Sequence, residues 1–251
     1  MPFLDRDGIR LYYESEGHGP AILLTHGYTA TLRMWDPQVD ALAGRYRVIR
    51  WDMRGHGESD SPDDPRAYTH DAMVADMAAI LDACGVERAV VGGLSLGGFL
   101  SLAFHLAHPE RVHALMLFDT GPGYKKHEAR ADWNRLAESY AVRFEREGLA
   151  ALGGGAEVKV SKHRSAQGLA HAARGILAQT DARVIQSLPH IAVPALLIVG
   201  SEDKPFLTGM DYMAAKIPNS NKVIIDGAGH APNLERPQAF NAALDSFLSH
   251  L

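Results

Sequence analysis

Six short apolar runs constrain this chain more than any other feature: AILLTHG (21–27), YRVIRWD (46–52), AVVGG (89–93), ALMLFD (114–119), ALLIVG (195–200) and KVIIDG (222–227). Each is rich in Val, Ile or Leu with little polar alternation, the pattern of strands covered on both faces of a mainly parallel sheet. Helical stretches separate them. In THDAMVADMAAILDACG (69–85), Met73, Met77, Ile80 and Leu81 share one face, Thr69 is a plausible N-cap and Gly85 closes the helix. Ahead of these runs, FLDRDGIRLYYESEG (3–17) turns at Asp7-Gly8, a two-residue hairpin signal, so two antiparallel strands begin the fold. The expected architecture is α/β: an eight-stranded, mainly parallel sheet with an N-terminal antiparallel hairpin.

One interval breaks the alternation. Residues 121–189 contain no convincing strand, only helical segments such as ARADWNRLAESYAVRFEREG and SAQGLAHAARGILAQT. The expected organisation is a core domain of residues 1–120 and 190–251, with residues 121–189 as a small helical cap inserted between strands 6 and 7. The insertion carries a net charge of +4 against −9 for the remainder, within a total of −5. That balance gives no reason to expect nucleic acid or an anionic membrane as partner. A length of 251 residues suits one sizeable α/β core. The single cysteine, Cys84, rules out an internal disulfide and any thiolate metal cluster, and suits a reducing cytosol. The opening MPFLDRDGIR lacks the apolar run of a signal peptide, and no window approaches eighteen apolar residues, so a cytoplasmic protein is expected.

The junction VVGGLSLGGF places one hydroxyl, Ser95, between Gly93 and Gly97. A phosphate cradle fails on spacing, because there is no G-x-G-x-x-G and no Lys-Ser/Thr pair. G-x-S-x-G does fit, following a β-branched strand and opening a helix, where a serine sits on a strained strand-to-helix turn. The bland alternative is a plain strand–helix connection. Serine is a weak nucleophile at neutral pH and needs a base, which in turn needs an orienting acid. Of thirteen histidines, His230 lies in the glycine-flanked loop DGAGHAPNLERP after the last strand, and Asp203 lies beyond the seventh strand in ALLIVGSEDKP. The chain order Ser95, Asp203, His230 is one of the known triad orders. Asp119, at the end of ALMLFD, is the rival acid; its bland role is a strand-end residue beside the insertion. An oxyanion needs two backbone donors: Leu96, at the helix start, and Tyr28, in LLTHGYTA, are the candidates. His26 reads as a structural loop residue rather than a second base.

Together, THGYTATLRMW, WDMRGHGESD, GLSLGGFLSLAFHLAHPERV, LIVGSEDKP and GHAPNLERP resemble the α/β-hydrolase superfamily, in particular its small bacterial serine esterase and enol-lactonase group. The resemblance covers about residues 20–121 and 194–248. It implies Ser95 as nucleophile, Asp203 as acid, His230 as base, Tyr28 and Leu96 as oxyanion donors, and a structural turn at Asp52–Ser59. It implies no cofactor and no metal. Haloalkane dehalogenases and epoxide hydrolases carry Asp at the nucleophile, against which Ser95 argues.

The expected activity is cleavage of a short-to-medium acyl ester through an acyl-enzyme. An enol-lactone, or a carbon–carbon bond in a ring-cleavage dienoate, is the alternative substrate; a non-catalytic small-molecule receptor is the remote one. Within the insertion Trp133, Leu136, Tyr140 and Phe144 fall at helical spacing and are candidates to line the substrate pocket, although such a stripe is more often packing. The partner expected is a small-molecule ester or lactone; the sequence carries no sign of oligomeric state.

Overall fold

The computed structural model describes residues 3–251; the first two residues of the opening segment lie outside the described residues. Eight strands form one sheet: β1 (Phe3–Arg6), β2 (Ile9–Glu16), β3 (Ala21–Thr25), β4 (Arg47–Trp51), β5 (Ala89–Leu94), β6 (Val112–Phe118), β7 (Ala195–Gly200) and β8 (Ser220–Ile225). Their spatial order is β1-β2-β4-β3-β5-β6-β7-β8. The β1–β2 and β2–β4 pairings are antiparallel; the others are parallel. Every apolar run named above is a strand of this sheet, and Asp7-Gly8 is the turn between β1 and β2, both at positive φ.

Among the described residues ten α-helices accompany the sheet: α1 (Asp36–Leu42), α2 (His70–Ala83), α3 (Leu96–Ala107), α4 (His127–Glu147), α5 (Ala156–Lys159), α6 (Ala166–Ala172), α7 (Arg183–Ser187), α8 (Lys204–Lys216), α9 (Pro232–Glu235) and α10 (Pro237–Leu248). Thr69 caps α2, its side chain accepting from Ala72 N at 3.0 Å. The uniformly apolar strands divide their side chains by the period of two. Leu23, Val91, Leu115 and Leu197 join a core with α2, α3 and α8, whereas Ile22, Leu24, Val90, Leu196 and Ile198 join a core with α1 and α10. Burial on both faces is why the inner runs lack polar alternation; KVIIDG, in the edge strand β8, leaves Ile224 51 % exposed.

Between β6 and β7 the chain forms α4 to α7 and a π-helical turn at Ala173–Leu177. Ala141, Phe144, Leu169, Ala170 and Ala173 make a small separate cluster there, against which Tyr28 packs. The insertion is seated closely on the turn at 52–59: a Cβ on Gly55 would meet the Gly168 carbonyl, so neither backbone tolerates a side chain there. No described helix is long and apolar enough to cross a membrane.

Candidate active site at the carboxyl edge of the sheet

Among the described residues four non-glycine residues have φ in the left-handed region: Asp7, in the hairpin turn, and Thr29, Ser95 and Asp119, each beyond the carboxyl end of a parallel strand. Such strain persists only where surroundings hold it, and it concentrates at functional sites. At Ser95 (φ 54°, ψ −115°) the chain turns from β5 into α3. Ser95 N donates to Phe118 O at 2.8 Å, and Thr120 Oγ1 donates to Ser95 O at 2.6 Å, so both ends of the bent residue are tied to β6 and its exit. The flanking glycines are required by close approach, since a Cβ on Gly97 would collide with the Thr25 carbonyl. The next loop over is also near: a Cβ on Gly27 would stand 3.5 Å from Ser95 Cβ, which places the Gly27-Tyr28 segment beside the serine.

His230 and Asp203 arrive from the far strands. Asp203 follows β7 and precedes α8; His230 follows β8 and precedes α9. His230 Nδ1 lies 2.7 Å from Asp203 Oδ2, with Asp203 only 7 % exposed. A carboxylate only accepts, so Nδ1 carries the hydrogen in this contact. Glu235 holds the loop by accepting from Gly229 N (2.7 Å) and Ala231 N (3.3 Å), the two neighbours of His230. Phe206 flanks the imidazole, ring centroids 4.9 Å apart. Asp203, not Asp119, is therefore the carboxylate hydrogen-bonded to the imidazole. Asp119 sits one layer behind, its Oδ1 accepting from Gly200 N at 2.9 Å.

The donor atoms of Asp119, Asp203 and His230 converge within 4.8 Å, the one such group of potential metal ligands among the described residues. Its chemistry suits hydrogen bonding better. The Nδ1–H of His230 is engaged by Asp203, and burial pushes Asp119 up to about 9, against the Gly200 N–H and with the Asp203 carboxylate adding to the rise.

A cavity of about 350 Å3 opens on Ser95 and is lined by Leu96, Phe99, Trp133, Leu177, Ile185, Phe206 and Tyr212, among others. None of its lining residues among the described residues is Lys, Arg, Asp or Glu. A larger hollow of about 570 Å3 lies on the other side of Phe99, between α2, α3 and α7, and Ser95 is not among its walls. Of the stripe expected to line the substrate pocket, only Trp133 does so. Leu136 and Tyr140 are exposed, at 41 % and 38 %, and Phe144 is buried in the insertion's own cluster. The physical reason is length. Residues 133 to 144 span about 16 Å along α4, more than one small cavity can face, so the stripe leaves the pocket after its first turn. Phe99, four residues after Ser95 on α3, and Phe206 and Tyr212 on α8 are the liners that periodicity within the insertion did not single out. Only the placement of Phe99 one helical turn after Ser95 was a usable signal.

The turn at Asp52–Ser59 is structural, as the resemblance implied. Asp52 accepts from Leu32 N (2.8 Å) and Glu58 N (2.9 Å), and Arg54 makes a two-pronged bond to buried Asp76, both contacts at 2.7 Å. Three neutral imidazoles link this turn to the loop beside Ser95. His26 donates through Nδ1 to Gly27 O (2.7 Å) and accepts at Nε2 from Met53 N (3.0 Å). His56 Nε2 accepts from Thr29 N (3.3 Å), and His163, from the insertion, donates to Thr29 O (2.9 Å) and accepts from Gly57 N (3.2 Å). With both nitrogens used, His26 is no second base. Tyr28 OH donates to Leu169 O at 2.9 Å, committing that side chain to the insertion.

These imidazoles set an acid limit on folding. Burial lowers His26 to about 3 and also lowers His56, His70, His105 and His163. Below about 6.5 the unfolded chain therefore binds more protons at these five sites, and stability falls as pH drops. Two buried carboxyls act oppositely, Asp52 pushed up to about 6 and Asp119 up to about 9, and offset part of that loss. Between pH 7 and pH 5 the Tm is expected to fall. A thermal melt that is unchanged or higher at pH 5 would show that these rings are not held neutral.

Sequence comparison settles the family. A family model described as alpha/beta hydrolase fold matches residues 20–164, more than half of the chain. The chain belongs to the α/β-hydrolase family. A putative 2-succinyl-6-hydroxy-2,4-cyclohexadiene-1-carboxylate synthase of Bacillus subtilis is 28 % identical to this hydrolase over 98 % of this chain and 97 % of its own length. A 3-oxoadipate enol-lactonase of Acinetobacter baylyi is 30 % identical over 98 % of this chain and 95 % of its own. Among solved structures, a thermophilic esterase from Thermogutta terrifontis superposes with a TM-score of 0.81 at 29 % identity, covering 99 % of this chain and 97 % of that one. This hydrolase thus falls with enol-lactonases and esterases, relatives that share one fold across several reactions.

Proposed function

We propose that this α/β hydrolase cleaves uncharged carboxylic esters with short-to-medium acyl groups, through an acyl-enzyme on Ser95. The observation that carries the reading is the strained Ser95 opening on an uncharged, largely apolar cavity, on the same sheet edge as the 2.7 Å His230–Asp203 pair. In the reaction, His230 Nε2 takes the Ser95 hydroxyl proton as Oγ attacks the ester carbonyl carbon. The N–H groups of Leu96, in the unpaired first turn of α3, and of Tyr28 stabilise the oxyanion. Collapse expels the alkoxide, which receives the proton from His230. Water then repeats the sequence on the acyl group, releasing the acid and free serine. Asp203 stays ionised throughout and stabilises the imidazolium.

The absence of cations from the cavity walls favours neutral substrates. Within the insertion Arg174 is paired with Glu138 and Glu145, Arg143 with Glu147 and Arg183 with Asp181, and its Lys125 ammonium stands 5.7 Å from the ring centroid of the wall residue Tyr212 without itself lining the cavity. A carboxylate held against the apolar walls would be desolvated with no cation among the wall residues. A neutral lactone is the second reading, favoured by the similarity to an enol-lactonase. A panel of p-nitrophenyl esters, lactones and ring-cleavage dienoates tests the assignment. Multi-turnover ester hydrolysis is expected to dominate; dienoate cleavage alone, or binding without turnover, would overturn it.

Pocket geometry gives a second check. Trp133→Ala enlarges the cavity and is expected to raise the long-to-short acyl preference in kcat/KM by about tenfold. Leu136→Ala, on the exposed side of α4, is expected to leave the ratio within about twofold. Equal shifts in both variants would contradict the assigned walls.

A further inference from the structure

Asp119 presents a buried oxygen with nothing to bond to. The residue is fully buried, held by β6 at φ 40°, with its N–H donating to Ile198 O at 2.9 Å and its Oδ1 accepting from Gly200 N at 2.9 Å. Its Oδ2 is buried and accepts from no donor. A carboxylate oxygen left so would carry charge in a poorly solvated site, a costly arrangement. The polar side chains gathered around Asp119 are the Asp203 carboxylate and the His230 imidazole, one polar atom of each of the three lying within 4.8 Å of the others. Asp203 already accepts at Oδ2 from His230 Nδ1. What completes this arrangement is a hydrogen on Asp119.

We propose that Asp119 is a protonated carboxylic acid that donates a hydrogen bond to the Asp203 carboxylate, making it a positioning residue that holds Asp203 toward His230. Gly200 N–H then donates to Asp119, Asp119 O–H donates to Asp203, and Asp203 also accepts from His230 Nδ1–H. No proton is transferred along it during turnover; Asp119 only orients Asp203. The charged or titratable groups facing Asp119 are Asp203, His230 and Glu235. Two of these are carboxylates, and each disfavours a further negative charge. Burial and these neighbours place the loss of the Asp119 proton near pH 9. This role rests on the serine-hydrolase reading above, and the experiment separates the two.

Asparagine mimics the protonated acid, since its carbonyl can accept from Gly200 N and its amide can donate to Asp203. D119N is therefore expected to keep kcat within about threefold of wild type at pH 7, whereas D119L, which removes the donor, loses about 10- to 100-fold in kcat with little change in KM. Wild-type kcat is expected to fall above pH 9 as Asp119 ionises and repels Asp203, and D119N is expected to lack that alkaline fall. In infrared spectra at pH 7, the carbonyl band of a protonated carboxylic acid is expected in wild type and absent from D119N, a readout that does not need D119L to fold. If D119N is as impaired as D119L, or keeps the alkaline fall, or the band is missing in wild type, the proposal is overturned. S95A, assayed alongside, separates the failures: retained activity there overturns the serine mechanism itself, whereas an inactive S95A leaves any failure with Asp119.

Discussion

Ser95→Ala is expected to lower kcat for p-nitrophenyl ester hydrolysis by about 10^6-fold while leaving the Tm close to that of wild type. The size of the loss follows from the proposed unit of Ser95, His230 and Asp203. Without Oγ there is no nucleophile for His230 to activate, and the oxyanion donors alone leave only residual catalysis over water. The fold is not at stake. The elbow is held by main-chain contacts, Ser95 N to Phe118 O and Thr120 Oγ1 to Ser95 O, which alanine retains. Alanine at φ 54° is strained, as serine is, so little changes in backbone energy. A variant keeping a tenth of wild-type kcat would be incompatible with an acyl-enzyme at this position.

Asp203→Asn is expected to cost about 10^4-fold in kcat. The amide has the shape of the carboxylate but presents an N–H where His230 needs an acceptor, so the ring turns to the wrong tautomer and the imidazolium loses its counter-charge. Asp119→Asn, one layer back, is expected to be nearly silent at neutral pH for the opposite reason: there the N–H replaces an O–H. The same substitution at two neighbouring carboxyls thus yields effects about a thousandfold or more apart. Steady-state kinetics of both variants at pH 7, with circular dichroism to establish folding, measures this contrast. Comparable losses in the two would mean that the carboxyls share the role.

The sheet was legible in the sequence because burial on both faces leaves a local mark. Runs such as ALLIVG and ALMLFD need no distant information to read as parallel strands. Ser95, Asp203 and His230 were legible for a related reason. Each lies beyond a strand's carboxyl end in a turn with its own residue signature, and the parallel sheet brings those ends to one edge. The pocket walls were not legible. Periodicity shows that Trp133, Leu136, Tyr140 and Phe144 share a face of α4, but which tertiary surface each part of that face meets is decided by the tilt of the insertion. One of the four meets the cavity, one the insertion's own cluster, and two remain exposed. The imidazoles of His56 and His163, 107 positions apart in the chain, bracket Thr29 through contacts that no local pattern announces. The state of Asp119 is the extreme case, since its proton depends on burial and on a carboxylate supplied by a different strand end.

The most direct measurement is covalent trapping. A p-nitrophenyl alkylphosphonate offers a phosphorus in place of the ester carbonyl, and attack by Ser95 Oγ with loss of p-nitrophenolate leaves a stable analogue of the acyl-enzyme. One equivalent of p-nitrophenolate per chain is expected, activity lost in proportion, and peptide mass spectrometry placing the single phosphonyl group on Ser95. A protein that remains active with Ser95 fully modified, or that is inactivated by modification elsewhere while Ser95 stays free, would contradict the account.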